Sequence, residues 1–129
     1  MEASVVNLLA GWVGMLLGVA TGATIGLFFH EDDWLGGFSS YRRRLVRLGH
    51  ISFFGLGFLN MMFAFSAAPL KLSGMSLNVA SWSLIAGAVT MPSCCFLSAW
   101  RKPLRHLFPI PVLATLSGIL AILIGRRSV

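Results

Sequence analysis

The chain has 129 residues, 57% of them hydrophobic, with a mean hydropathy of +0.83. Charged side chains make up only 11%, against roughly 25% in a soluble domain, which excludes an ordinary soluble fold. Ten Lys and Arg against four Asp and Glu give a net charge of +6, an excess that in so apolar a chain belongs at the membrane boundary and implies no nucleic acid.

Charge-free stretches at 3–29, 48–70, 72–100 and 107–125 each reach the ~17 to 25 residues that a spanning helix needs. The expected fold is all-α: a single-domain polytopic integral membrane protein over 1–129, with four transmembrane helices in an antiparallel bundle. The spans are placed at about 5–29, 48–68, 77–100 and 107–125. The first run lacks a basic leader, carries Glu2 and exceeds the usual ~7 to 15-residue core of a signal peptide, so it is read as a retained helix.

Helix one carries Gly14, Gly18, Gly22 and Gly26 at four-residue spacing. Four such glycines make a groove along one face, where another backbone can approach closely, so they are the expected helix-packing residues. The connection from His30 to Arg47 follows. It brings Glu31, Asp32 and Asp33, the aromatic residues Trp34, Phe38 and Tyr41, a turn at Gly36 and Gly37, and the run Arg42, Arg43, Arg44. Aromatic rings at headgroup depth beside guanidinium groups read as an interfacial segment anchored to lipid.

Helix two starts near Gly49 and His50 and holds Asn60 near mid-span, where a buried amide in hydrocarbon seeks a partner on a neighbouring helix. A short turn over Lys71 to Ser76, after Pro69, leads to helix three. There Pro92 is expected to produce a kink. Cys94 and Cys95 are adjacent, hence about 100° apart on a helix and unsuited to one metal or one disulfide, so they read as small packing residues. The connection Arg101 to Arg105 contains Pro103 and sets helix four antiparallel to helix three. Helix four begins at His106, passes Pro109 and Pro111, offers small residues at Ser117 and Gly118, and ends at the anchor Arg126 and Arg127.

Seven basic residues, Arg42, Arg43, Arg44, Arg47, Arg101, Lys102 and Arg105, fall on one side, and Lys71, Arg126 and Arg127 on the other. The positive-inside rule then puts the loops 30–47 and 101–106 in the cytoplasm and both termini outside. No Asp, Glu, Lys or Arg lies within a span, which disfavours proton-coupled transport and a charged pore. No nucleophile with a positioned base and no phosphate loop is present, which disfavours an intramembrane hydrolase.

Two functional classes remain. The first is an accessory or structural subunit of a larger membrane complex, an energy-transducing one among the candidates, without catalytic activity of its own. It would pack through the glycine face, within its own bundle or against another copy or subunit, with other membrane subunits or further copies of itself as its partners. The second is an electron-transferring protein with a b-type haem between His50 and His106 as axial ligands to iron, with His30 in reserve. Arg44, Arg101 and Arg105 would then pair with the propionates. A small homo-oligomeric channel or transporter stands third.

Overall fold

The computed structural model describes residues 2–126. They form four long helices, α1 (Glu2–Phe28), α2 (Tyr41–Ser66), α3 (Gly74–Trp100) and α4 (Pro109–Gly125), with no strand among the described residues. Short 3-10 turns at Trp34–Gly36 and Lys102–Leu107 interrupt the first and third connections. Four helical segments are long and apolar enough to cross a bilayer, the fourth being α4 together with the preceding 3-10 turn, Lys102–Gly125. Arg127 of the expected C-terminal anchor lies outside the described residues.

Helix α2 begins seven residues earlier than the expected span, because Ser40 caps it: extended at φ −67°, ψ 146°, its hydroxyl accepts from the Arg43 N–H at 3.2 Å. The arginine run therefore rides on the first turns of a helix, where successive side chains point in different directions. Asn60 consequently lies six residues from the last residue of α2, close to the end away from the arginines.

The helices pack in chain order, α1 on α2, α2 on α3 and α3 on α4, with α1 and α3 meeting as parallel neighbours. Among the described residues α4 forms no packed interface with α1, so the array is an open row and the expected four-membered antiparallel bundle does not close. Small residues bring α4 onto α3. Gly118 receives the Leu84 side chain, Gly87 receives Thr115, and the Ser76 side chain lies on Gly125. Buried Phe63, Ala67, Leu72, Ala80 and Leu84 form the apolar core at the end of the array away from the arginines. The turn between α2 and α3 closes through Lys71 N–H to the Ala68 carbonyl and Leu72 N–H to the Ala67 carbonyl, with Lys71 itself at φ 51°. Helix α3 continues through Pro92, which is buried.

Candidate functional site

Polar side chains inside an apolar array must find partners there, because no water is present to serve them. Asn7 of α1, Asn60 of α2 and Ser81 of α3 do so with one another. The Asn7 amide nitrogen donates to Asn60 Oδ1 at 2.7 Å and to the Ser81 carbonyl at 3.2 Å, while the Ser81 hydroxyl donates to Asn7 Oδ1. The Asn60 nitrogen donates to the carbonyls of Leu56 at 2.8 Å and Leu84 at 3.2 Å. Both asparagines have no exposed surface, and all four of their amide heteroatoms are engaged. The cluster ties three helices together at the end of the array remote from the arginines. Asn60 stood out in the sequence, whereas Asn7 and Ser81 did not. Each lies within about two turns of a helix end, among other polar residues such as Ser4 and Asn78, so no signal in the sequence singles them out.

The glycines of α1 lie mostly under α2. A Cβ at Gly14 would stand 3.0 Å from the Phe53 carbonyl oxygen and 3.2 Å from Gly57 Cα. At Gly18 it would meet the Phe54 ring at 2.7 Å, and at Gly22 the His50 Cε1 at 2.6 Å. Gly11, one turn before Gly14, lies under Met61 and Gly57 and belongs to the same contact. Gly26 has open space where its Cβ would be. The glycine face is thus occupied by the chain's own second helix, not by another subunit.

His50 points at α1, edge-on to Phe54 with ring centroids 5.4 Å apart. Thr21 Oγ1 lies 2.7 Å from the Leu17 carbonyl oxygen and 3.1 Å from His50 Nδ1. The single hydroxyl proton goes to the nearer carbonyl, so in the neutral ring Nδ1 carries the hydrogen that bridges to Oγ1, and Nε2 keeps a lone pair. His106 is exposed on the 3-10 turn, which rests on α3 and α4, and His30 is exposed after α1. Of the two expected axial ligands, His50 thus lies against α1 and His106 is exposed on the turn. Of the expected propionate partners, Arg44 folds onto the Ser39 carbonyl with Nε at 3.1 Å and a terminal nitrogen at 2.6 Å. Arg101 and Arg105 are exposed.

The arginine run divides by function. Arg43 is only 1% exposed, and among the described residues its hydrogen-bond partners are main-chain carbonyls, with no carboxylate. Its terminal nitrogens donate to the carbonyl oxygens of Phe29 at 2.7 Å, Glu31 at 3.0 Å and Asp32 at 3.4 Å. These carbonyls lie just beyond the C-terminal end of α1, where the helix dipole is negative, and the Glu31 carbonyl also accepts from the Trp34 N–H at 3.3 Å. Aromatic faces enclose the cation, with its carbon 3.7 Å from the centroid of Phe38, 4.9 Å from Phe29 and 5.4 Å from Trp34. The loop closes around it through left-handed Leu35, Gly36 and Gly37 at φ 55°, 90° and 92°. Arg43 is therefore a structural latch between α2 and the end of α1, a role the surface-anchor expectation for the run did not include. Arg42 and Arg44 remain exposed.

The two cysteines face different neighbours. The Cys94 thiol reaches the Leu107 carbonyl at 3.7 Å, and Cys95 lies against Gly49 of α2. Among the described residues no three of His, Cys, Asp and Glu come together in a way that would hold a metal ion. No protein-family model matches the chain, no curated protein matches its sequence, and no solved structure matches its fold.

Proposed function

We propose that the chain is a small integral membrane subunit of a larger membrane assembly, acting by packing, with its basic end in the cytoplasm. The observation that carries this reading is the fate of the polar groups inside the spans. Asn7, Asn60 and Ser81 are consumed in joining the chain's own helices. The hydroxyls of Thr24, Ser52, Ser66, Thr90 and Ser93 donate to carbonyls of their own helices. Most of the intramembrane polarity is thus used inside the chain's own architecture, the buried hydroxyls of Ser98 and Thr115 being exceptions. The open row supports the same reading, because α1 and α4 stand at its edges with long apolar faces uncovered, among them Leu9, Trp12, Leu16, Leu116 and Leu123.

A photo-crosslinking residue at Leu16, on the uncovered face of α1, tests the proposal in native membranes. The expected product is a discrete adduct with one other membrane protein or with a second copy of the chain. Adducts with lipid alone, together with migration as a free chain after mild solubilisation, would overturn it.

One observation favours a second reading, in which His50 ligates a b-type haem at a seam with a partner that supplies the other axial ligand. A hydrogen bond from Nδ1 that fixes the tautomer and leaves Nε2 free is how ligating histidines are held. The absorption spectrum of the isolated assembly separates the two readings. A reduced haem band lost in His50→Ala supports the second, and a spectrum free of haem absorbance supports the first.

A further inference from the structure

Helices α1 and α3 are joined by the Asn7 and Ser81 contacts near their first turns, and toward the basic end two cavities follow along the seam between them, with a third beyond, between the first connection, α2 and α3. The first, of about 310 Å³, lies between Leu17 and Pro92 over Phe53. A turn further on, the second, of about 330 Å³, has Thr21 and Thr24 on one side and Phe96 on the other. The third, of about 450 Å³, shares Leu35, Val46 and Phe96 with the second and ends at Arg42 and Trp100. We propose that this groove binds one anionic phospholipid, with an acyl chain along the α1–α3 seam and its phosphate at Arg42.

Length favours a lipid over a small soluble anion. From Ala10 to Ile25 the groove follows α1 for about 22 Å at 1.5 Å per residue. One leaflet of the hydrocarbon core is about 15 Å deep, half of ~30 Å, so the walls can cover an acyl chain over its whole length. Those walls are aliphatic, aromatic or small apart from a few hydroxyls, which suits hydrocarbon and gives a hydrated anion nothing.

Charge favours an anionic head. Arg42 is the charged residue among the lining side chains, and no Asp or Glu joins it. Its Nε donates to the Ala99 carbonyl at 3.0 Å, which holds the guanidinium at the mouth, and the side chain remains exposed there. A guanidinium fixed in this way matches a phosphate in two-point geometry. Arg101 and Lys102 follow directly after Trp100 and are exposed, with the Lys102 ammonium 5.8 Å from the Tyr41 ring. Trp100, 80% exposed, and Tyr41 supply the aromatic residues that settle at headgroup depth. The acidic loop residues Glu31 and Asp32 turn their main-chain carbonyls to Arg43 and do not line the groove.

The test uses the whole chain in detergent, with thermal unfolding and native mass spectrometry after addition of phosphatidylglycerol, phosphatidylcholine or inorganic phosphate. Phosphatidylglycerol should raise the melting temperature and stay bound as one molecule, while the other two should do neither. Arg42→Gln should weaken phosphatidylglycerol binding about tenfold, the scale of one lost charge-assisted pair. Arg105→Gln should leave it unchanged. If Arg42→Gln does not fold, Val46→Trp, which fills the groove from α2 without touching the charge, should abolish retention. Equal stabilisation by phosphatidylcholine, an effect of inorganic phosphate alone, or undiminished binding in both Arg42→Gln and Val46→Trp would each overturn the proposal. So would a dimer in which a second copy covers the groove and excludes lipid.

Discussion

The side-chain amide of Asn7 donates to Asn60 Oδ1 over 2.7 Å, joining two helices across 53 residues of sequence. Neither residue is exposed, and the same Asn7 side chain accepts from Ser81 on a third helix. Removing one partner leaves the others unpaired in an apolar interior, which costs more than the bond alone. Asn7→Ala should lower stability by about 1–2 kcal/mol and Asn60→Ala by a similar amount. Because the two lie in one network, the double variant should lose less than the sum of the single losses. Reversible unfolding in bicelles measures all three, and strict additivity would mean that the pair is not coupled.

The glycines of α1 should differ in their tolerance of a side chain, and the ranking follows from what each faces. Gly14 faces the Phe53 carbonyl and the Gly57 backbone, which cannot swing away, so Gly14→Leu should be the most destabilising. Gly18→Leu and Gly22→Leu meet the rings of Phe54 and His50, which can rotate in part, and should be intermediate. Gly26→Leu enters open space and should unfold like wild type. Thermal unfolding of the four variants in one detergent gives the order. Equal tolerance at Gly14 and Gly26 would separate α1 from α2.

Much of this architecture was legible in the sequence because hydrocarbon thickness constrains helix length and charge marks helix ends. The four apolar segments followed from that alone. Three further relationships were not legible in this way. The start of α2 was hidden because Ser40 caps a helix whose first turns are polar, so an apolar-run criterion begins too late, at 48. Arg43 looked like Arg42 and Arg44 because identical neighbours in a run differ only by their 100° rotation around the helix, and only one of them points at the α1 terminus. The histidines shared an end of the array in the sequence reading. Their facing was not readable, since it depends on which side of α2 meets α1.

Arg43 should control the order of the segment from Phe29 to Phe38. Its forked guanidinium serves three carbonyls and three rings at once, a geometry that an ammonium does not reproduce. Arg43→Lys should therefore behave much like Arg43→Ala, with faster amide hydrogen exchange across the segment and new protease cleavage near Gly36 and Gly37. Arg44→Ala loses only an exposed contact to the Ser39 carbonyl and should change neither readout. A fully protected segment in Arg43→Lys would show that charge alone holds the loop.

The orientation proposed for the chain is tested by two single cysteines at opposite ends of the array. Ser39 is exposed in the first connection, and Arg44 binds its main-chain carbonyl, so Ser39→Cys leaves that contact in place. Ser73 is exposed before α3 and makes no side-chain capping bond, which makes Ser73→Cys equally mild. The native Cys94 and Cys95 are buried, and replacing both with serine clears any residual background. Seven basic residues at the Ser39 end against three at the other favour a cytoplasmic Ser39. A membrane-impermeant maleimide applied to intact cells should therefore label Ser73→Cys and spare Ser39→Cys, and in inside-out vesicles the pattern should reverse. Labelling of Ser39→Cys in intact cells would invert the orientation. Labelling of both from one face would remove an odd number of crossings between them, and with it the reading of α2 as a span.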